Sequence, residues 1–128
     1  MKKLIFLILA AILLTGCGQD KENTREVEYV NITAEEAKEI MDSQEGYIIL
    51  DVRTQAEYDE GHIPGAVLIP NTEIEDRAEG ELPDKDQLIL VYCRSGNRSK
   101  QASQILARLG YTNIKEFGGI IDWPYEVE

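Results

Sequence analysis

The stretch LILVYCRSGNRSKQASQILARLG, residues 88–110, decides how this chain can fold. It begins as an uninterrupted apolar run, LILVY, which is typical of a strand buried on both faces of a sheet. It then passes through Cys93 into a short polar loop and continues as an amphipathic helix, which we expect to start near Ser99. Gly110 follows the apolar residues of that helix and is predicted to end it. The stretch is therefore a strand, a loop and a helix.

The remaining segments alternate in the same way. Thr33 with Glu36, and Thr54 with Glu57, have the spacing of a helix-capping box, and we expect helices over residues 34–43 and directly after Thr54. A further helix is expected within the acidic segment 71–87. Short apolar runs predict five strands, namely EYVNI, YIILDV, AVLIP, LILVY and NIKEF. This order predicts an α/β fold, with a central, mostly parallel five-stranded sheet flanked by helices.

The first residues carry a separate signal. Lys2 and Lys3 precede an apolar run over residues 4–14, which is typical of an export signal and too short for a spanning helix of about 20 residues. The run ends in Leu-Thr-Gly-Cys, which resembles the lipobox of bacterial lipoproteins. The resemblance implies that residues 1–16 are a signal peptide and that Cys17 is acylated. Residues 17–27 would then be a linker and residues 28–128 the domain, anchored to a membrane at the cell surface or the periplasmic face.

The net charge of the chain limits the kinds of partner that it can bind. The formal net charge is -11, and it becomes -13 when the signal peptide with its two lysines is removed. Nucleic acid is therefore not expected as a partner, and the anchor has to be hydrophobic because anionic lipid repels an acidic domain. With one histidine and one cysteine outside the lipobox, a zinc site of the usual four nitrogen or sulfur ligands cannot form, and we expect neither a metal nor a cofactor.

Cys93 is left without a disulfide partner if Cys17 carries lipid. A thiol has an ordinary pKa of about 8.5, yet the thiolate is the nucleophile. The start of the following helix, the amides of a loop containing Gly96, and the side chains of Arg94 and Arg98 would all favour negative charge. An inert cysteine at a strand end would not need such a loop. We therefore predict that Cys93 is a nucleophile at the carboxyl edge of the sheet.

Three motifs carry a family resemblance. CRSGNRS (93–99), LDVRTQAEYDEGHIPGA (50–66) and FGGIIDW (117–123) together resemble the rhodanese domains, in particular the single-domain sulfurtransferases. The resemblance implies that Cys93 takes a sulfane sulfur from a donor such as thiosulfate as a persulfide and passes it to a thiol or cyanide. It also implies a single rhodanese-like domain and a substrate-binding loop formed by Arg94, Ser95, Gly96, Asn97, Arg98 and Ser99.

The same resemblance gives Asp51, Arg53 and Glu57 supporting roles. We expect Asp51 to brace the cysteine loop and Arg53 to pair with Glu57. Trp123 is expected to be a core aromatic, and His62 a turn residue.

Three alternatives remain open. Related phosphatases and arsenate-reductase-like enzymes place five residues between cysteine and arginine, whereas four lie between Cys93 and Arg98, a spacing that favours a single sulfur atom. Some rhodanese-like domains are binding modules without catalysis, but these lack the cysteine. An exported protein could also be the sulfur acceptor. We expect the domain to be a monomer.

Overall fold

The computed structural model describes residues 28–128, in which five strands and four α-helices alternate. The strands are β1 (Val30–Asn31), β2 (Ile48–Asp51), β3 (Val67–Leu68), β4 (Ile89–Cys93) and β5 (Ile114–Gly119). The helices are α1 (Ala34–Ser43), α2 (Gln55–Glu60), α3 (Ile74–Glu81) and α4 (Asn97–Arg108), with short 3₁₀ turns at Asn71–Glu73 and Ile120–Asp122.

The strands form one sheet in the order β1-β5-β4-β2-β3, and every strand pair is parallel. The predicted α/β class and five-stranded sheet are thus confirmed. The two most apolar strands, β2 and β4, are neighbours, and Asp51 is in register with Tyr92. Their carboxyl ends therefore open at the same edge of the sheet.

Apolar side chains pack on both faces of the sheet, because successive residues of a strand point to opposite sides. Val91 of β4 packs on the α3 and α4 side, whereas Leu90 and Tyr92 pack on the α1 side with Trp123. The indole of Trp123 lies 5.5 Å from the ring of Phe117, which confirms it as a core aromatic. Burial on both faces explains why β4 reads as an unbroken apolar run.

Both predicted capping boxes are present. The amide of Glu36 donates to Thr33 Oγ1 at 3.0 Å, and the amide of Thr33 donates to the Glu36 carboxylate at 2.9 Å. Thr54 and Glu57 repeat this arrangement at the start of α2. Because each cap satisfies free amides of the first turn, it contributes about 1 kcal/mol to stability. The predicted bounds of α1, residues 34–43, match the structure.

The start of α4 differs from the prediction. The helix begins at Asn97 rather than near Ser99, because Gly96 adopts a φ of +113° that turns the chain directly into the first helical turn. Such positive φ values favour glycine. At the other end, Gly110 has a φ of +102° and ends the helix as predicted.

The signal peptide, residues 1–16, and the whole predicted linker, residues 17–27 with Cys17, lie outside the described residues. Within residues 28–128, none of the helices combines the length and apolar character needed to cross a membrane.

Candidate active site

Cys93 is the last residue of β4, and its thiol lies against the loop that follows. The side chain is 1% exposed. Its Sγ accepts a hydrogen bond from the Gly96 amide at 3.0 Å and lies 3.4 Å from Ser99 Oγ. The positive φ of Gly96 allows the loop to curl so that an amide points back at the sulfur. Because an N–H group directed at sulfur favours its anionic form, the loop can stabilise charge on this atom.

The loop rests on β5 at Gly119. A β-bulge between Val91 and Cys93 brings Cys93 into register with Gly119, and the Ile121 amide donates to the Arg94 carbonyl at 3.2 Å. A Cβ atom at residue 119 would overlap the carbonyl of Arg94 and the Cα of Ser95. The second glycine of FGGIIDW is thus needed for the close approach of β5 to the loop, a role that the sequence analysis did not assign.

Ser99 connects the thiol to a buried acid. Ser99 and Glu116 are both 0% exposed, and Ser99 Oγ lies 2.5 Å from Glu116 Oε2. The carboxylate also accepts hydrogen bonds from the Gly118 amide at 2.9 Å and from Asn31 Nδ2 at 2.6 Å. Glu116 was not among the site residues predicted from the sequence. The alternation within β5 could have revealed it, since residues 114 and 116 share one face and Ile114 is apolar.

Arg98 forms no hydrogen bond with the sulfur of Cys93. Its guanidinium donates to both carboxylate oxygens of Glu57, at 2.8 and 3.0 Å. This pair ties the first turn of α4 to the first turn of α2. The hydrogen bonds from Arg98 lower the pKa of Glu57 to about 2. The expectation that Arg53 pairs with Glu57 is therefore wrong.

Arg53 pairs with Asp51 instead. Its backbone amide, Nε and Nη2 donate to the Asp51 carboxylate at 2.9, 2.9 and 2.7 Å, and Nη2 also donates to the Gly61 carbonyl. Tyr92 Oη donates to Asp51 at 2.7 Å, and burial raises the pKa of this tyrosine. The hydrogen bonds of Asp51 thus go to Arg53 and Tyr92 rather than to the cysteine loop, contrary to expectation. This set of hydrogen bonds links the ends of β2 and β4 to each other and to the turn after α2.

The remaining loop side chains face solvent. Arg94, Ser95 and Asn97 are exposed. Within residues 28–128, the Arg94 guanidinium makes neither a salt bridge nor a side-chain hydrogen bond. Its positive charge is available at the rim of the loop.

Two features lie away from the loop. The His62 ring stacks on Tyr58 with centroids 3.8 Å apart, and the His62 backbone pairs with that of Glu128. A cavity of about 460 Å³ lies on the α1 side of the sheet, lined in part by Met41, Tyr47 and Trp123, and Cys93 is not among its lining residues.

No group of three or more His, Cys, Asp or Glu side chains suited to a metal occurs in the described part of the chain.

The Glu57–Arg98 pair predicts a specific pH dependence. Because the pKa of Glu57 is lowered from 4.5 to about 2, its ionised form contributes stability above pH 4.5 that is lost as the pH falls towards 2. Glu57→Gln is expected to lower the melting temperature at pH 6, and the difference from the parent protein should shrink between pH 4.5 and 2. Thermal unfolding monitored by circular dichroism across this range measures the effect.

Glu60→Gln is the matched control, because it removes a carboxylate of the same helix that forms no salt bridge with any described residue. A Glu57→Gln difference that stays constant with pH would contradict the prediction.

Comparison with protein families gives two matches. A family described as a rhodanese-like domain matches residues 33–124, and the prokaryotic membrane lipoprotein lipid attachment site matches residues 1–17. The second match confirms the predicted lipoprotein signal and ends at Cys17. Together the two matches span nearly all of the chain.

Individual relatives agree with these matches. The chain is 40% identical over 73 residues to the thiosulfate sulfurtransferase PspE of Escherichia coli K12, covering 57% of this chain and 70% of that protein. It is 36% identical over 122 residues to the putative sulfur carrier protein YrkF of Bacillus subtilis 168, covering 94% of this chain and 64% of that protein. The structure of a rhodanese with anions from E. coli superposes with a TM-score of 0.60 at 35% identity, covering 64% of this chain and 96% of that one.

Proposed function

Because the chain belongs to the rhodanese-like family, we propose that it moves a sulfane sulfur from a donor such as thiosulfate to a thiol or cyanide acceptor, through a persulfide on Cys93. The observation that supports this most directly is the 3.0 Å hydrogen bond from the Gly96 amide to Cys93 Sγ. An amide in that position can stabilise a thiolate before the reaction and negative charge on sulfur during it. The names of the relatives are consistent with sulfur chemistry.

The proposed reaction has two steps. The Cys93 thiolate attacks the outer sulfur of thiosulfate, the S–S bond of the donor breaks, and sulfite leaves with the electron pair. The acceptor then attacks the outer sulfur of the Cys93 persulfide, and the new S–S bond breaks to return the thiolate. With cyanide the product is thiocyanate, and with a thiol it is a persulfide of that acceptor. Neither step needs an external oxidant or reductant.

The residues Arg94 to Ser99 would bind the donor and the transferred sulfur. The exposed Arg94 side chain at the rim suits capture of an anionic donor. Asp51, Arg53 and Glu57 would act as supporting residues, because their ion pairs fix the strand ends and the first turn of α4. These contacts are with other protein groups, so we assign them no direct part in the reaction.

The proposed anchor places this chemistry at a membrane. Residues 1–16 would be removed, Cys17 would carry the lipid, residues 17–27 would act as the linker, and residues 28–128 would form the domain. The domain would then work as a monomer at the cell surface or the periplasmic face, where its acceptor is a small thiol or an exported protein.

Persulfide formation tests the proposal directly. The full-length protein, extracted in a mild detergent, is incubated with thiosulfate or with polysulfide and digested, and the Cys93 peptide is examined by mass spectrometry. We expect one added sulfur atom on this peptide, which cyanide removes as thiocyanate. Cys93→Ser serves as the control. If neither donor adds sulfur to Cys93 in the folded protein, the chain is a binding module rather than a sulfurtransferase.

A further inference from the structure

Glu116 is a buried acidic residue that the sulfur-transfer steps do not use. It is 0% exposed on β5. Among residues 28–128, no Lys, Arg or His lies within salt-bridge distance of it. A buried carboxylate without a cation is costly unless hydrogen bonds offset its desolvation, as those from Asn31 and the Gly118 amide do in part. Its position beside Ser99 suggests a role towards the thiol.

Ser99 lies between the two ionisable groups. Its Oγ is 2.5 Å from Glu116 Oε2 and 3.4 Å from Cys93 Sγ, with the Gly96 carbonyl at 2.9 Å as a further acceptor. A serine hydroxyl donates a single proton and can accept others. With Cys93 as a thiol, the S–H donates to Ser99 and Ser99 donates to the Glu116 carboxylate. The three side chains thus form a continuous hydrogen-bonded chain, shielded from water.

Charge repulsion limits the protonation states that Cys93 and Glu116 can adopt together. A Cys93 thiolate beside a Glu116 carboxylate would place two negative charges close together in a region of low dielectric, which raises the energy of the doubly ionised form. Repulsion between the two charges therefore favours states in which one of the two groups carries a proton.

We propose that Glu116 holds the Cys93 proton, received through Ser99, while Cys93 acts as the nucleophile. This role rests on the proposed sulfurtransferase function. The S–H bond breaks and its proton goes to Ser99 Oγ, while the Ser99 O–H bond breaks and that proton goes to Glu116 Oε2. Both hydrogen bonds reverse, and the net charge of the three groups stays at -1. Ser99 then donates to the thiolate, beside the Gly96 amide. Glu116 touches no reacting atom and is a positioning residue.

Other charged groups face the thiol from the loop and the neighbouring elements. Arg98 of α4 is paired with Glu57 of α2, Arg94 is exposed on the loop, and Arg53 is paired with Asp51 at the end of β2. The pKa of Glu57 is about 2, and its hydrogen bonds raise the pKa of Arg98. This ion pair therefore keeps its charges between pH 5.5 and 8.5, and a pH dependence of Cys93 in that range would have a different origin.

The proposed proton transfer has a distinctive consequence. When a thiol gives its proton to water, its reactivity rises about tenfold for each unit of pH increase as long as the pH is below its pKa, because only the thiolate reacts. Proton transfer to Glu116 involves no exchange with solvent, so the fraction of thiolate does not depend on pH while the pair holds one proton. The reactivity of Cys93 should therefore be nearly flat across neutral pH.

The test is the rate of Cys93 alkylation by iodoacetamide between pH 5.5 and 8.5, measured on the Cys93 peptide of the full-length protein in detergent. We expect the rate of the parent protein to change less than about threefold from pH 6 to 8, and that of Glu116→Gln to rise about tenfold per unit. The substitution keeps the size of the side chain, and the exposed Asn31 amide can rotate to preserve its hydrogen bond. Circular dichroism checks that each variant is folded.

Two further variants test whether the path runs through Ser99. Ser99→Ala interrupts it and should give the same steep profile as Glu116→Gln. Asn31→Ala removes a contact with the other carboxylate oxygen and should leave the profile flat. A parent protein that follows the tenfold slope, or a Glu116→Gln variant as flat as the parent, would overturn the proposal. Because iodoacetamide requires no sulfur donor, a failed persulfide assay with a flat alkylation profile would reject the sulfurtransferase proposal separately.

Discussion

Replacing Cys93 with Ala is expected to reduce thiosulfate-dependent formation of thiocyanate at least about 1,000-fold, to the rate without enzyme. The substitution removes the atom that would carry the transferred sulfur. Ser99, the nearest side-chain hydroxyl at 3.4 Å, cannot replace it because an alcohol does not form a persulfide. Initial rates with thiosulfate and cyanide, measured on the full-length protein in detergent, give the ratio.

Ser103→Ala is the matched control for that measurement. Ser103 is 0% exposed on α4, and its hydroxyl has no hydrogen-bond partner among the described residues. Like Cys93→Ala, this variant deletes one buried heavy atom, but it should leave the rate unchanged. If the Cys93→Ala protein retained more than a tenth of the parent rate, Cys93 would not be the sulfur carrier.

Asp51→Ala is expected to lower the free energy of unfolding by about 3–5 kcal/mol, because it leaves the buried guanidinium of Arg53 without its carboxylate partner. The Arg53 side chain is 6% exposed and Asp51 is fully buried, so the pair is shielded from bulk water. The Tyr92 hydroxyl would lose its acceptor as well. Urea unfolding at neutral pH, followed by circular dichroism, measures the loss.

The double variant Asp51→Ala with Arg53→Met separates the unpaired charge from other effects. It removes both members of the pair, and we expect it to be more stable than Asp51→Ala by at least about 1 kcal/mol. A double variant no more stable than the single one would show that the loss arises from packing or from Tyr92. A loss below about 1 kcal/mol for Asp51→Ala would contradict the prediction itself.

The elements of this fold could be predicted because their signals are local. A capping box depends on residues three positions apart, so Thr33 and Thr54 locate the starts of α1 and α2 without knowledge of the rest of the chain. Apolar runs of four or five residues likewise indicate β2 and β4. The position of Cys93 at the carboxyl edge follows from parallel strands, and so could also be anticipated.

The ion pairs of the site could not be predicted in the same way. Arg53 and Glu57 are four residues apart, a spacing that brings side chains together on a helix, but Arg53 precedes α2 and turns back to Asp51. The actual partner of Glu57 is Arg98, which is 41 positions away along the chain. Contacts of this kind depend on how α2 and α4 are placed relative to each other.

The buried acid was missed for a different reason. Charged residues are usually exposed, and in a strand as short as NIKEF this expectation outweighs the weak alternation signal that places Glu116 on the same face as Ile114. Its burial follows from the position of β5 between β1 and β4, where one face is covered by α4. The start of α4 was placed two residues too late because the φ of Gly96 is a property of the folded loop.

Both edges of the sheet are strands of two residues, β1 and β3. A long exposed edge presents unpaired backbone groups to which a strand of another molecule can add, and very short edges are one way in which proteins avoid such aggregation. A lipid attachment site confines copies of the domain to a surface, where encounters between neighbours are frequent. The short edges therefore leave little exposed backbone through which the sheets of neighbouring membrane-anchored molecules could join.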